Sequence, residues 1–143
     1  MDVKVKKLDP NAIIPFYAHP GEDAGLDLTA TSYSFENGRH IFSTGLAFEI
    51  PKGYVGLLFP RSSINKYDLR LTNCVGVLDS GFRGEVKFVF ENDGMISRDL
   101  AIYKVGDKIG QILILSYRQI AFVEVNELSS SVRSEKGFGS SGS

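Results

Sequence analysis

The chain has 143 residues, with 16 Lys and Arg against 17 Asp and Glu, and a formal net charge of −1. This length suits one compact domain, and 43% hydrophobic residues exclude an acidic disordered tail and argue against a membrane protein. The balanced charge argues against nucleic-acid binding, and one Cys and two His provide neither a disulfide framework nor a zinc cluster. Residues 1–10 show no leader pattern, so we expect a cytoplasmic location.

Short apolar stretches interrupted by Gly and Pro predict a protein made almost entirely of β-strands. In the segment 85–91, the alternation places Val86, Phe88 and Phe90 on one buried face. Only residues 62–67 are suited to a short helical turn. These strands predict an all-β antiparallel sandwich or barrel. The predicted strands cover residues 3–6, 46–50, 54–59, 85–91, 100–105, 109–115 and 120–125.

The composition changes at residue 129, where a segment rich in Ser and Gly begins. We therefore predict a β domain over residues 1–128 and a flexible C-terminal arm over 129–143. Arg133 and Phe138 would give this arm a cation for phosphate and a ring for a base. The end of the chain also matches G-x-G-x-x-G, but it lacks the strand and helix of a dinucleotide site and looks like cloning sequence.

The tetrapeptide at residues 60–63 ends a predicted strand and is suited to binding phosphate. Arg61 carries forked donors, while Ser62 and Ser63 add hydroxyl and backbone N–H donors. Taken alone, the tetrapeptide is better explained as a surface Arg beside a helix N-cap Ser. Gln111, which interrupts an apolar strand, is either an amide donor to phosphate or a polar residue at a sheet edge.

Carboxylates are better candidates than histidines for the chemistry. Asp27 lies between Leu26 and Leu28, so it faces the opposite side of a strand from both. It is either an ordinary exposed carboxylate or a ligand, direct or through water, for a hard cation such as Mg²⁺. His19 and His40 have no evident carboxylate partner, so we expect both to be loop residues and not bases for a Ser nucleophile.

The stretch at residues 73–86 predicts a hairpin whose tip carries Asp79 and Phe82. Asp79 is also an ordinary turn residue, but a large apolar ring at a tip is harder to explain without a ligand. We expect Cys74 to be a small buried apolar residue and not a nucleophile.

Five segments, in this order, resemble the five motifs of the homotrimeric deoxyuridine triphosphatase (dUTPase) family. The resemblance covers nearly the whole chain. It implies a jelly-roll-like β fold and a homotrimer whose active sites are shared between subunits. It also implies Mg²⁺-dependent hydrolysis of dUTP to dUMP and pyrophosphate, which keeps uracil out of DNA and supplies dUMP for thymidylate synthesis. The segments are residues 24–30, 60–63, 73–86, 106–114 and 133–142.

The resemblance also implies a role for each candidate residue. Asp79 would be catalytic and orient the attacking water at the α-phosphorus, and Asp27 would hold Mg²⁺ through water. Phe82 would lie under the deoxyribose. The triphosphate would be bound by Arg61, Ser62, Ser63 and Gln111. The uracil edge would be read by Asn73 and the backbone of Gly76 and Val77. The closing arm would contribute Arg133, Phe138, Gly139, Ser140 and Ser141.

Two positions depart from the family pattern. Position 82 usually carries Tyr, and Phe82 keeps the ring while losing the phenol, so we expect UTP still to be rejected. Gly110 stands where Ala is commoner and is expected to loosen a turn slightly.

Two other functions are compatible with parts of the sequence. A deoxycytidine triphosphate deaminase shares the fold and a similar Arg-Ser-Ser grip, but no segment supplies the carboxylate it would aim at the base amino group. A non-enzymatic trimeric sensor or protein-binding domain would have no use for the water-orienting Asp79.

Overall fold

The computed structural model describes residues 1–92, 101–132 and 134, and these residues form an almost entirely β structure. They contain ten strands and one 3-10 helix at Ser62–Lys66, where the sequence predicted a helical turn. No helix in this part of the chain is long and apolar enough to cross a membrane. The strands are β1 (Lys4–Lys7), β2 (Leu26–Thr29), β3 (Ser32–Glu36), β4 (Arg39–Ser43), β5 (Leu46–Glu49), β6 (Tyr54–Phe59), β7 (Leu69–Leu71), β8 (Gly76–Leu78), β9 (Lys87–Asn92) and β10 (Lys108–Ser116).

Two four-stranded antiparallel sheets form the body of the fold. One has the strand order β2-β10-β6-β8 and the other the order β3-β4-β9-β7, while β1 pairs with β5 in a small third sheet. Strands distant in sequence are therefore neighbours within each sheet. This arrangement confirms the jelly-roll-like all-β prediction.

The core is made largely of aromatic and aliphatic side chains from alternate strand positions. Val86, Phe88 and Phe90 are all buried, as their alternation predicted. The Phe42 and Tyr103 rings pack against Phe90, with centroid distances of 5.9 and 5.5 Å. Burying one such Phe ring contributes about 1.5–3 kcal/mol relative to leaving it exposed.

Gly110 provides space for a core ring, which the sequence did not predict. It lies inside β10, next to a register shift in which Lys108 pairs with Thr29 and Gly110 with Leu28. A Cβ atom at Gly110 would overlap the buried ring of Phe88. The expectation of a loosened turn is therefore wrong, because Gly110 is a strand residue whose missing side chain is replaced by Phe88.

We expect Gly110→Ala to lower the free energy of unfolding by about 1–3 kcal/mol, the usual cost of overpacking a core. Denaturant unfolding would measure this loss. The matched test repeats the substitution in a Phe88→Leu background, where the smaller side chain leaves room for the methyl group and the loss should shrink. An equal loss in both backgrounds would show that Phe88 is not the cause.

Two predicted strands are wrong. Residues 101–105 form a connection held by Asp68, whose N–H bonds to Ala101 O at 2.9 Å. Residues 120–125 have the apolar pattern of a strand, but they pair with no strand of the described chain. Their side chains are exposed, reaching 94% at Phe122. A strand needs a neighbouring strand, and the described residues of this chain do not supply one here.

Candidate active site

Strands β2, β6 and β10 meet at a cleft of about 540 Å³, here called the anion cleft, which is lined by Asp27, Arg61, Ser62 and Gln111 among others. Gln111 lies directly opposite Asp27 on β2 and opposite Phe59 on β6. Arg61 follows Phe59 by two residues. Cross-strand register therefore brings together four predicted site residues from three separate segments of the chain.

Asp27 is held by two cations. Arg61 Nε donates to Asp27 Oδ1 at 2.7 Å, and Lys108 Nζ lies 2.9 Å from Oδ2. The Asp27 side chain is 27% exposed, so an ordinary exposed carboxylate does not describe it. Asp27 is therefore one negative charge between two positive charges, while Glu22 and Asp23 also line the cleft. An anionic ligand would be bound by the two cations at Asp27.

The serines begin the 3-10 helix on the other side of Arg61. Arg61 itself occupies the N-cap position and makes no side-chain cap bond, so an N-cap Ser is not the explanation for this segment. Arg61 Nη1 lies 3.5 Å from Ser63 Oγ, a long contact. The Ser63 hydroxyl is therefore weakly engaged and open to another acceptor.

Tyr103 lies behind these serines and packs on Tyr67 with a ring-centroid distance of 4.0 Å. Its hydroxyl is buried and has no hydrogen-bond partner among the described residues. Burial raises the pKa of Tyr103, and nearby Ser63 offsets part of that rise without reaching hydrogen-bond geometry. The phenol therefore stays protonated as a buried donor behind the anion cleft.

A second cleft of about 240 Å³, here called the hairpin-side cleft, is lined by Asn73, Gly76, Val77 and Phe82 among others. Gly76 lies opposite Leu58 in the β6–β8 ladder. A Cβ atom at Gly76 would come within 3.0 Å of Leu58 Cβ and 3.3 Å of Asn73 Nδ2. The glycine therefore lets the Asn73 amide lie close to the backbone of β8.

Residues 73–86 do not form the predicted hairpin. β8 pairs with β6, and β9 belongs to the other sheet. The turn itself is present: Phe82 N donates to Asp79 O at 3.0 Å, and Arg83 Nη1 donates to Ser80 O at 2.6 Å. Asp79 and Phe82 thus lie at a tight turn as predicted, but the chain crosses between sheets after it.

The register separates Asp79 from Arg61 within one chain. Gly56 pairs with Leu78 and Leu58 with Gly76, so β8 runs away from the Arg61 end of β6. Asp79 continues in that direction, whereas Arg61 lies five residues beyond Gly56 in the other. At about 3.3 Å per residue, the two side chains begin roughly 15–20 Å apart. Asp79 lines neither the anion cleft nor the hairpin-side cleft.

Three further expectations are corrected. Cys74 is exposed and has a positive φ of 57°, so it is a turn residue and not a buried apolar one. His40 is buried in β4 between Tyr33 Oη, at 3.1 Å, and Asn92 Oδ1, at 2.8 Å. His19 has a carboxylate partner after all, because its Nδ1 lies 3.2 Å from Asp23 Oδ2. The spacing of four residues was the available signal for that pair.

Sequence reasoning also missed Lys108 and Tyr103 as site residues. Lys108 lies within the motif-like segment 106–114, but the direction of its side chain depends on a bulge. Tyr103 lies outside the five segments and is placed by packing against distant residues such as Tyr67. Arg133, Phe138, Gly139, Ser140 and Ser141 lie outside the described residues, so their predicted roles stay predictions. The same holds for the proposed boundary at residue 129.

The chain is similar to known proteins over nearly its whole length. A family model described as dUTPase matches residues 11–142. A deoxyuridine 5'-triphosphate nucleotidohydrolase of Helicobacter hepaticus is 41% identical over 145 residues, which cover 99% of this chain and 89% of that protein. One from Solibacter usitatus is 38% identical over 146 residues, covering 99% of this chain and 97% of that protein.

Solved structures show the same likeness. A mutant dUTPase of Staphylococcus bacteriophage 80alpha with dUpNHpp superposes with a TM-score of 0.79 at 29% identity, covering 99% of both chains. A mutant dUTPase from phage phi11 of S. aureus, described with a structural Mg(II) ion, superposes with a TM-score of 0.76 at 26% identity. That match covers 91% of this chain and 100% of the other.

Proposed function

The chain belongs to the dUTPase family, and from this premise we propose how its residues hydrolyse dUTP to dUMP and pyrophosphate. The observation that carries the proposal is the anion cleft, where Asp27 fixes Arg61 beside Ser62 and Gln111. The reaction removes a nucleotide that would put uracil into DNA and yields dUMP for thymidylate synthesis.

The triphosphate binds in the anion cleft. Asp27 takes only the Nε–H of Arg61, so the Nη donors remain for phosphate oxygens. Gln111 donates one amide proton to Pro60 O at 3.1 Å and keeps a second. The Ser62 and Ser63 hydroxyls add two further donors. These groups supply the charge stabilisation and positioning on which phosphoryl transfer depends.

The donors of the anion cleft fit Mg²⁺. Mg²⁺ in such sites usually keeps several water ligands and is otherwise bound by substrate phosphates. One carboxylate is therefore enough for the protein to hold its water shell. Asp27 supplies that carboxylate. Among the described residues no group of three His, Cys, Asp or Glu is placed to form an all-protein cage. When bound, Mg²⁺ would neutralise negative charge on the phosphate chain.

Asp79 orients and deprotonates the attacking water. Its turn is braced from both sides, because Arg83 Nη1 donates to Ser80 O at 2.6 Å and to Phe82 O at 2.8 Å. These bonds fix the backbone of the turn that carries Asp79, and its carboxylate accepts a proton as the water oxygen bonds to the α-phosphorus. The bond from that phosphorus to the bridging oxygen breaks, and pyrophosphate leaves.

The hairpin-side cleft binds the nucleoside. The Asn73 amide and the backbone of Gly76 and Val77 offer donors and acceptors to the edge of uracil. The Phe82 ring is 45% exposed and would pack under the deoxyribose. A ribose 2′-hydroxyl would then press against an apolar ring without a hydrogen-bond partner, which disfavours UTP.

Each site is shared between subunits of a homotrimer. Asp79 and Arg61 lie roughly 15–20 Å apart in one chain, so a site that contains both must take them from different copies. The exposed apolar segment 120–125 supports association, as does an apolar groove of about 560 Å³. Exposed apolar side chains that cluster in this way favour association with another surface. The groove is lined in part by Val3, Val5, Phe16, Phe48 and Ile114.

The C-terminal arm, residues 129–143, completes the site in this proposal. Arg133 would bind phosphate and Phe138 would stack on the base, with Gly139, Ser140 and Ser141 closing against the triphosphate. Closure of such a segment excludes water from the reacting centre and strengthens each charged contact.

A substrate panel tests the proposed activity. With Mg²⁺, we expect rapid release of pyrophosphate from dUTP, and kcat/KM lower by about 10²-fold or more for dCTP, dTTP and UTP. Ammonia released from dCTP would instead show a deaminase. Tight binding of dUTP without release of pyrophosphate would show a sensor and contradict the assignment.

A further inference from the structure

Lys108 lines the anion cleft together with Arg61. Its Nζ lies 2.9 Å from Asp27 Oδ2, and its side chain lines the cleft beside Arg61, Ser62 and Gln111. The Lys108 side chain is 49% exposed, so its ammonium group is in contact with the solvent that a ligand would replace.

The β-bulge in β10 is what places Lys108 in the cleft. In a regular strand, Lys108 and Gln111 are three residues apart and would point to opposite faces. Here Lys108 pairs with Thr29 and Gln111 with Asp27, and those two partners share one face of β2. The extra residue in β10 therefore turns Lys108 to the same face as Gln111. Bulges disrupt the local ladder and commonly re-aim a side chain near an active site.

The ion pair with Asp27 leaves Lys108 with binding capacity to spare. An ammonium has three N–H donors, and the contact with Asp27 uses one. The same carboxylate also accepts a hydrogen bond from Arg61 at 2.7 Å, so its negative charge is shared between the two cations. Two further acids, Glu22 and Asp23, line this cleft, and Asp23 already accepts a hydrogen bond from the backbone N of His19 at 2.8 Å. A phosphate group is therefore a strong competitor for Lys108.

We propose that Lys108 binds the phosphate chain of dUTP beyond its α-phosphate, in addition to holding Asp27. Arg61 and Lys108 bind different oxygens of Asp27, so a chain of three phosphates can span both cations. A single phosphate bound to Arg61 leaves Lys108 with Asp27. Lysine is suited to this role because its flexible side chain allows the ammonium group to move from the Asp27 carboxylate to a phosphate oxygen. This inference rests on the proposed function and adds a residue to its site.

Binding measurements on Lys108→Met test the proposal, with Lys104→Met as the matched control. Lys104 is an exposed lysine four residues away that lines none of the clefts described above. With Mg²⁺ present, we expect Lys108→Met to weaken binding of dUpNHpp by about 10- to 100-fold, as for loss of a charge-assisted hydrogen bond. Affinity for dUMP should change less than about twofold, and Lys108→Arg should recover most of the loss.

The outcomes separate a direct contact from a structural role. Equal weakening of dUpNHpp and dUMP would show that Lys108 only positions Asp27 and Arg61, and unchanged affinity for dUpNHpp would show no role; either result overturns the proposal. The unfolding midpoint should stay near that of the unsubstituted protein, because a half-exposed ion pair contributes about 0–1 kcal/mol. If the unsubstituted protein released no pyrophosphate from dUTP, the proposed activity would fail, while the binding comparison would still decide the contact of Lys108.

Discussion

Replacing Asp79 with Asn lowers kcat for dUTP by about 10²–10⁴-fold, the range expected when a general base is removed. The amide has nearly the same shape but cannot take a proton from the attacking water. The backbone bond from Phe82 N to Asp79 O, at 3.0 Å, does not involve the side chain, and Asn is itself a favoured turn residue. Release of pyrophosphate under saturating dUTP and Mg²⁺ measures the loss.

Two observations accompany this result if Asp79 acts on the water alone. Affinity for dUpNHpp and the mass of the assembly should both stay close to those of the unsubstituted protein. Glu36→Gln serves as the control, because it removes an exposed carboxylate from β3, which belongs to the sheet that does not contain β8. This substitution should leave kcat unchanged. Retention of more than a tenth of the activity in Asp79→Asn would contradict the role assigned to the carboxylate.

Mixing two inactive variants restores activity if sites are shared between subunits. Asp79→Asn subunits keep an intact anion cleft, and Arg61→Ala subunits keep an intact Asp79. In randomly mixed trimers from equal amounts of each, a site is whole when an Asp79→Asn cleft meets an Arg61→Ala neighbour, which holds for about one quarter of sites. Subunits should be mixed by joint refolding or coexpression, and recovery measured as pyrophosphate release per site.

The control mixes Arg61→Ala with Asp27→Asn. Both residues line the same cleft of one chain and are bonded at 2.7 Å, so no subunit in this mixture offers an intact pair. Recovery should stay near zero. No recovery in the first mixture, or equal recovery in both, would contradict a site that joins Asp79 of one subunit to Arg61 of another. A light-scattering mass of a monomer would contradict it as well.

Several features of the fold follow from short-range patterns and were predicted from the sequence. The alternation around Phe88 identified a buried strand face, and Pro and Gly marked where strands end. The order of five motifs identified the family, which the family model over residues 11–142 confirms. Within the site, Asp27, Arg61, Ser62 and Gln111 line one cleft, while their roles toward Mg²⁺ and the triphosphate stay predictions.

The sequence by itself determined several of the strands, such as β6, β9 and β10, and the residue types that carry the chemistry, because a period of two and turn chemistry act over a few residues. Only the tertiary structure decided which strands pair, since pairing depends on partners distant in the chain. It pairs β8 with β6 and not with β9. It also packs the Phe88 ring against Gly110, and a bulge in β10 directs the Lys108 side chain toward the anion cleft. The same non-local register holds Asp79 far from Arg61 in one chain.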